Sequence, residues 1–208
     1  FGHVMRDAGY KTCIVGKWQL GQDRKLPGHF GFDEYCLWWL ENKSTRYGNV
    51  GELIQNGKVL PGGKGEYGPD VVSAFMLDFI SRNKEHPFFC YYPMILTHSP
   101  FVPTPDTDKD APKGSNLDLM VGMVAYTDKI VGRVVAHLDK LGLRENTVIL
   151  YTGDNGTHRG IVGARVGKHD WPGAKGSNMS EMGMRVPLVV NYPAGGVSGK
   201  VLDDPIDF

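Results

Sequence analysis

Thr147-Val148-Ile149-Leu150-Tyr151-Thr152-Gly153-Asp154-Asn155-Gly156 is an apolar, β-forming run that ends in a carboxylate, an amide and glycine. A strand that stops this way presents two hard oxygen donors, Asp154 and Asn155, at the mouth of a sheet, which suits a divalent cation such as Ca²⁺. Open α/β sheets hold their ligands at the carboxyl ends of strands, so the position is favourable too. The plainer reading of the tetrapeptide alone is an Asx-type turn that closes a loop.

Working outward, residues 12–15, 88–96 and 186–192 are further apolar runs without polar alternation. With 147–152 they read as strands buried on both faces, the pattern of a mainly parallel sheet covered by helices. One covering helix is predicted over 70–83, with Val71, Val72, Phe75, Met76, Phe79 and Ile80 on one face and Asp70 as its cap. A second is predicted over 117–141, where Leu117, Met120, Val121, Val124, Val131, Val135 and Leu138 recur at helical spacing before Gly142. Residues 52–60 read as a hairpin turning at Asn56-Gly57. Long Gly- and Pro-rich loops occupy 97–115 and 155–180, and loops of that length in a compact domain usually carry function. Residues 1–10 read as the last turns of a helix and 201–208 stop without a closing element, so the chain is expected to be an interior slice of a larger domain.

The 208 residues have average globular composition, and 23 basic side chains balance 23 acidic ones. No global field therefore favours nucleic acid or an anionic membrane, and any anion site must be local. No apolar stretch is long enough for a membrane span. Cys13, Cys36 and Cys90 lack metal-type spacing, and two of them lie in apolar runs where a thiol acts as a small hydrophobe.

Three more features fall at strand ends or in the loops. Gly16-Lys17-Trp18-Gln19-Leu20-Gly21 follows the first run, Thr97-His98-Ser99-Pro100 follows the second, and Gly173-Ala174-Lys175-Gly176-Ser177 precedes the last. Singly, each has an ordinary explanation: a surface lysine, a turn histidine, a loop lysine. Glu181 and Arg185 fit a structural ion pair. Lys168 and Arg165 add charge to the same loop.

Taken in order, this set resembles the sulfatase family of the alkaline phosphatase superfamily. The matching text is Gly9-Tyr10-Lys11-Thr12 leading into Gly16-Lys17-Trp18, then Thr97-His98-Ser99-Pro100, Thr152-Gly153-Asp154-Asn155-Gly156, and Lys175-Gly176-Ser177 with Arg185-Val186-Pro187. The resemblance implies an α/β fold, a mainly parallel sheet sandwiched between helices, incomplete at both termini, with residues 1–208 forming part of one catalytic domain. It further implies that Lys17 contacts the sulfate and the nucleophile, that His98 serves the leaving oxygen, that Lys175 grips the sulfuryl group, and that Asp154 and Asn155 ligate Ca²⁺. The implied substrate is a small-molecule or glycan sulfate ester. Fixed cations aimed at such an ester's oxygens lower the barrier to its cleavage.

Three departures from the family pattern stand out. Gln19 occupies a position usually held by histidine, and an amide cannot take a proton at neutral pH. The family's nucleophile is a formylglycine, made from cysteine or serine in a segment reading cysteine-any-proline-serine-arginine, and none of the three cysteines stands in that context. The paired aspartates that complete the family's metal site are missing as well; Asp203-Asp204 fall in the wrong place in the motif order and are expected to be solvated. The parent is therefore expected to be a sulfatase, and the slice itself inactive. A phosphomonoesterase or phosphodiesterase of the same superfamily, with His158 and His169 as extra ligands, is one alternative. A non-catalytic module that binds sulfated glycans through Lys17, Arg165, Lys168 and Lys175 is the other. Pocket walls are expected from loops 26–65 and 101–115, with Trp38, Trp39 and Trp171 as stacking candidates against core packing. Family resemblance favours a periplasmic or secreted location, and Asn42-Lys43-Ser44 matches the glycosylation pattern.

Overall fold

The structure, a computed structural model, describes residues 1–38, 40–41, 47, 50–108, 110, 114–196 and 198–205. Trp39 and the Asn42-Lys43-Ser44 pattern lie outside the described residues, as do parts of loops 26–65 and 101–115. The chain divides into two compact units, Phe1–Val134 and Val135–Phe208.

In the first unit the order is α1 (Gly2–Asp7), β1 (Lys11–Lys17), α2 (Leu26–His29), β2 (Glu34–Trp38), β3 (Ile54–Gln55), β4 (Lys58–Val59), α3 (Gly68–Arg82), β5 (Phe88–Tyr91) and α4 (Asn116–Lys140), the last running past the division. The strands line up as β4-β3-β2-β1-β5. β1 pairs in parallel with β2 and β5, placing Ile14 opposite both Tyr35 and Tyr91. Thr12, Cys13, Ile14, Val15 and Gly16 are all buried, which is why an unbroken apolar run marks this strand. The hairpin forms at the expected place, with Asn56 and Gly57 both at positive φ (46° and 84°) and β3 added antiparallel to β2.

β2 is a strand that the pattern did not reveal: it sits in the segment expected to be pocket wall. Its alternate residues divide the core. Tyr35 and Leu37 join Ile14, Trp18, Phe32, Leu40 and Ile54 on one face, flanked by Leu26 and Phe30. Glu34, Cys36 and Trp38 point the other way, towards α3; Arg82 holds Glu34 through two bonds of 2.8 Å, and a Cβ on Gly68 would strike the Trp38 ring. Trp38 is thus a core side chain rather than a stacking platform.

The predicted apolar face of α3 is correct: Val72, Phe75, Met76, Phe79 and Ile80 are buried, each such burial worth roughly 1.5–3 kcal/mol. Asp70 does not cap it. Gly68 and Pro69 occupy the first turn, because proline fits there, and Tyr67 takes the cap position. Asp70 instead accepts a 2.6 Å bond from the Tyr126 hydroxyl and pairs with Arg133 of α4. Along α4 the buried residues are Met123, Tyr126, Thr127, Ile130 and Leu138, so Leu138 is placed as expected, whereas Val121 and Val124 are exposed. Tyrosine and threonine share that face with aliphatic residues, so a count of aliphatic residues alone misplaces part of it. β5 ends at Tyr91 rather than residue 96, since Pro93 has no N–H to give to a ladder.

The second unit holds β6 (Ile149–Thr152), β7 (Arg165–Val166), β8 (His169–Asp170), α5 (Glu181–Met184) and β9 (Leu188–Asn191). β6 and β9 pair antiparallel, Leu150 opposite Val190, and β7 and β8 form a small hairpin. Leu150 and Val190 are 65% and 59% exposed, so these two runs are not buried on both faces as expected; apolarity alone fixes neither pairing direction nor cover. The Glu181–Arg185 pair forms at 3.6 Å, and Asp203 and Asp204 are exposed, both as read from the sequence. No helix among the described residues is long and apolar enough to cross a membrane.

Cys13 lies opposite Cys90 in the β1–β5 register, and a hydrogen bond to Cys90 together with burial pushes its thiol well up. Burial alone raises Cys36 from an ordinary 9.0 to about 12. Because the folded state keeps that proton where the unfolded chain has lost it, the associated stability is present below pH 9.0 and fades as pH rises towards about 12. Urea unfolding at about pH 8 and about pH 10 should show the loss, and Cys36→Ala should lessen it. A slope unchanged by the substitution would assign the effect to other groups.

Candidate active site

Lys17 is set by the way β1 ends. Gly16 adopts φ 107°, and a Cβ there would collide with the Pro93 carbonyl. That close approach lets the Lys17 N–H donate to Pro93 O at 2.8 Å. The next residue anchors the turn: Trp18 is buried, its backbone N–H bonds Trp38 O at 3.1 Å, and its indole N–H bonds Gly21 O at 2.9 Å. Lys17 is half-buried, and Gln19 is exposed.

His98 belongs to the segment that follows β5. β1 and β5 are parallel, so Lys17 and His98 leave the same carboxyl edge of the sheet, the edge where such sheets bind ligands. The Leu96–Thr97 and Ser99–Pro100 peptides are cis. The His98 N–H closes a turn onto Ile95 O at 2.9 Å, and the Tyr47 hydroxyl reaches Ile95 O at 3.1 Å and His98 O at 2.8 Å. On the ring, Nδ1 lies 2.7 Å from Ser99 O. A carbonyl only accepts, so Nδ1 carries a proton, and Nε2 is the atom that gains or loses one as the ring titrates.

Asp154, Asn155 and Lys175 belong to the second unit. Asp154 is exposed and Asn155 half-buried, directly after β6. The long loop after them folds back on itself through backbone bonds: Gly156 N–H to Gly183 O at 2.9 Å, Lys175 N–H to Thr157 O at 2.8 Å, and Gly173 N–H to Ile161 O at 2.9 Å. Arg159 adds a 2.8 Å bond from Nε to Lys175 O. Lys175 is thereby tied to a residue two positions beyond Asn155. Three glycines make the packing feasible, since a Cβ would strike the Met182 carbonyl from Gly156, the His158 carbonyl from Gly173 and the Ser177 carbonyl from Gly183. α5 starts on Ser180, whose hydroxyl accepts from Met182 N–H at 3.2 Å.

Among the described residues no cluster of three or more His, Cys, Asp or Glu stands ready for a metal ion. His158 Nδ1 accepts the Gly160 N–H at 2.9 Å, and His169 is exposed on β8. Tyr47 and the three packed glycines escaped the sequence reading; only a glycine count in 155–183 hints at the latter.

The Sulfatase family model matches residues 1–204. The chain belongs to the sulfatase family. The pig N-acetylgalactosamine-6-sulfatase is 30% identical to this chain over 230 residues, covering 96% of the chain and 42% of the relative. Rat steryl-sulfatase is 32% identical over 133 residues, covering 62% of the chain and 22% of the relative. In three dimensions the crystal structure of Ps i-CgsB in complex with k-i-k-neocarrahexaose aligns with TM-score 0.71 and 25% identity over 92% of this chain and 47% of that one. The fold is the alkaline phosphatase-like one, with its mostly parallel sheet and helices. The chain spans less than half the length of these relatives.

Gly173→Ala should push the sulfatase's Lys175 segment off Thr157. Hydrogen exchange read by mass spectrometry is expected to show lost protection at the Gly173 and Lys175 amides, with β1 unchanged; retained protection at both would refute the packing argument.

Proposed function

We propose that the parent protein hydrolyses an organic sulfate monoester, using a formylglycine supplied by a segment outside these 208 residues. The observation that supports the reading is the family match over 1–204, together with Lys17 and His98 on one carboxyl edge of the first unit and, in the second, the Lys175 N–H bonded to Thr157 O, two residues past Asn155.

In this reading Lys17 and Lys175 bind the sulfuryl oxygens and stabilise the charge that gathers there. His98, protonated on both ring nitrogens, gives the Nε2 proton to the departing oxygen and is left neutral, while Nδ1–H stays on Ser99 O and holds the ring's orientation. Asp154 and Asn155 offer only oxygen donors, which fit a hard cation, and these residues would hold Ca²⁺. When bound, that ion supplies positive charge to sulfate oxygens. Gln19 can hydrogen-bond a hydroxyl but not deprotonate it, so release of sulfate from the enzyme is the step this chain supports least. That same residue is what favours the second reading, a module that binds sulfated glycans without turnover. The loop cations Arg165 and Lys168 would serve it; Arg165 also pairs with Asp170 at 3.1 Å.

With the full-length protein and an aryl sulfate, His98→Ala and Lys175→Ala are each expected to lower kcat/KM by about 10²–10³-fold, the scale of losing one transition-state contact. Chelation of Ca²⁺ and Asp154→Ala should act alike. Binding of sulfated oligosaccharide without any turnover would establish the module instead. Gln19→His is expected to raise kcat where sulfate release limits it; steady-state and burst kinetics read this directly, and an unchanged kcat with no burst would remove Gln19 from the argument.

A further inference from the structure

We infer that Tyr47 is a positioning residue for His98, acting through the backbone that carries the imidazole; the inference rests on the reading of His98 as leaving-group acid. The Tyr47 hydroxyl meets both carbonyls of the 95–98 turn, Ile95 O at 3.1 Å and His98 O at 2.8 Å. The turn closed by His98 N–H on Ile95 O at 2.9 Å is therefore held at its first and last carbonyls by one hydroxyl from a different part of the chain, which shares its single proton between them. The pin is itself rigid. Tyr47 is buried at 7% exposure and stacks on Tyr67, ring centroids 6.1 Å apart and planes 18° from parallel. Tyr67 meets Tyr126 edge-on at 5.2 Å, and the Tyr126 hydroxyl is fixed by Asp70 at 2.6 Å, which Arg133 neutralises. A file of three tyrosines thus runs from the α3–α4 ion pair to the histidine turn.

The file also contains its own control. The Tyr67 hydroxyl is buried and has no hydrogen-bond partner among the described residues, so it contributes its ring and nothing polar. Tyr47→Phe removes the bonds to the turn and keeps the stack; Tyr67→Phe keeps both.

A misplaced acid harms poor leaving groups most, because they depend on the proton; good leaving groups depart without it. In the full-length protein, kcat/KM is measured on aryl sulfates from 4-nitrophenyl sulfate to phenyl sulfate, whose phenols differ in acidity. Tyr47→Phe is expected to slow phenyl sulfate about ten- to hundredfold while changing 4-nitrophenyl sulfate by roughly threefold or less. His98→Ala should steepen the same dependence further, and Tyr67→Phe should leave it at the parent slope. A loss of folded protein scales every substrate equally and leaves the slope alone, which separates positioning from mere stability. If His98→Ala steepens the slope and Tyr47→Phe does not, the role of Tyr47 is overturned and the proposed function stands. If His98→Ala leaves the slope unchanged, the acid role of His98 falls and that of Tyr47 falls with it.

Discussion

Much of the first unit's functional geometry depends on one close approach, the Pro93 carbonyl against Gly16. A side chain at Gly16 would block it, and φ 107° is where glycine alone sits at ease. With the approach made, Lys17 N–H closes onto Pro93 and the carboxyl ends of β1 and β5 are locked together. One residue then diverges from each strand: a lysine held by the buried Trp18 behind it, and a histidine held by the turn it ends. The catalytic proposal asks for cations at fixed positions, and preorganised charge is what makes such groups effective. Here main-chain hydrogen bonds and an indole do the fixing.

The second unit reaches the same end by different means. Its strands are short and exposed, and its loop carries most of the order. Three glycines let backbone touch backbone, and the Lys175 N–H is held on Thr157 O, two residues past Asn155. The main-chain bonds of that loop fix where the Asn155 and Lys175 stems start and leave the side chains their reach.

The sequence was most informative where chemistry and period coincide. β1 and α3 were legible because an unbroken apolar run and a face repeating at 72, 75, 76, 79 and 80 have few other interpretations. The Asn56-Gly57 hairpin was legible because its turn type demands those residues. β2 was not, since five residues beginning with glutamate, in a segment rich in glycine and charge, carry too little pattern. Asp70 misled as a cap because the same carboxylate that suits a helix start also suits an arginine, and only the tertiary partner decides. The candidate site residues stand out as a set only through their order along the chain. Tyr47 was not found, for its role lies wholly in what it touches.

The uncovered pair β6 and β9 has a practical side. Leu150, Tyr151, Val189 and Val190 are each more than a third exposed on short, uncharged, β-branched strands. Strands of that composition adhere to one another in water, edge to edge, when nothing shields them. Handled by itself in concentrated solution, this polypeptide carries an exposed apolar ribbon that favours self-association, and its balanced net charge adds no repulsion to oppose it.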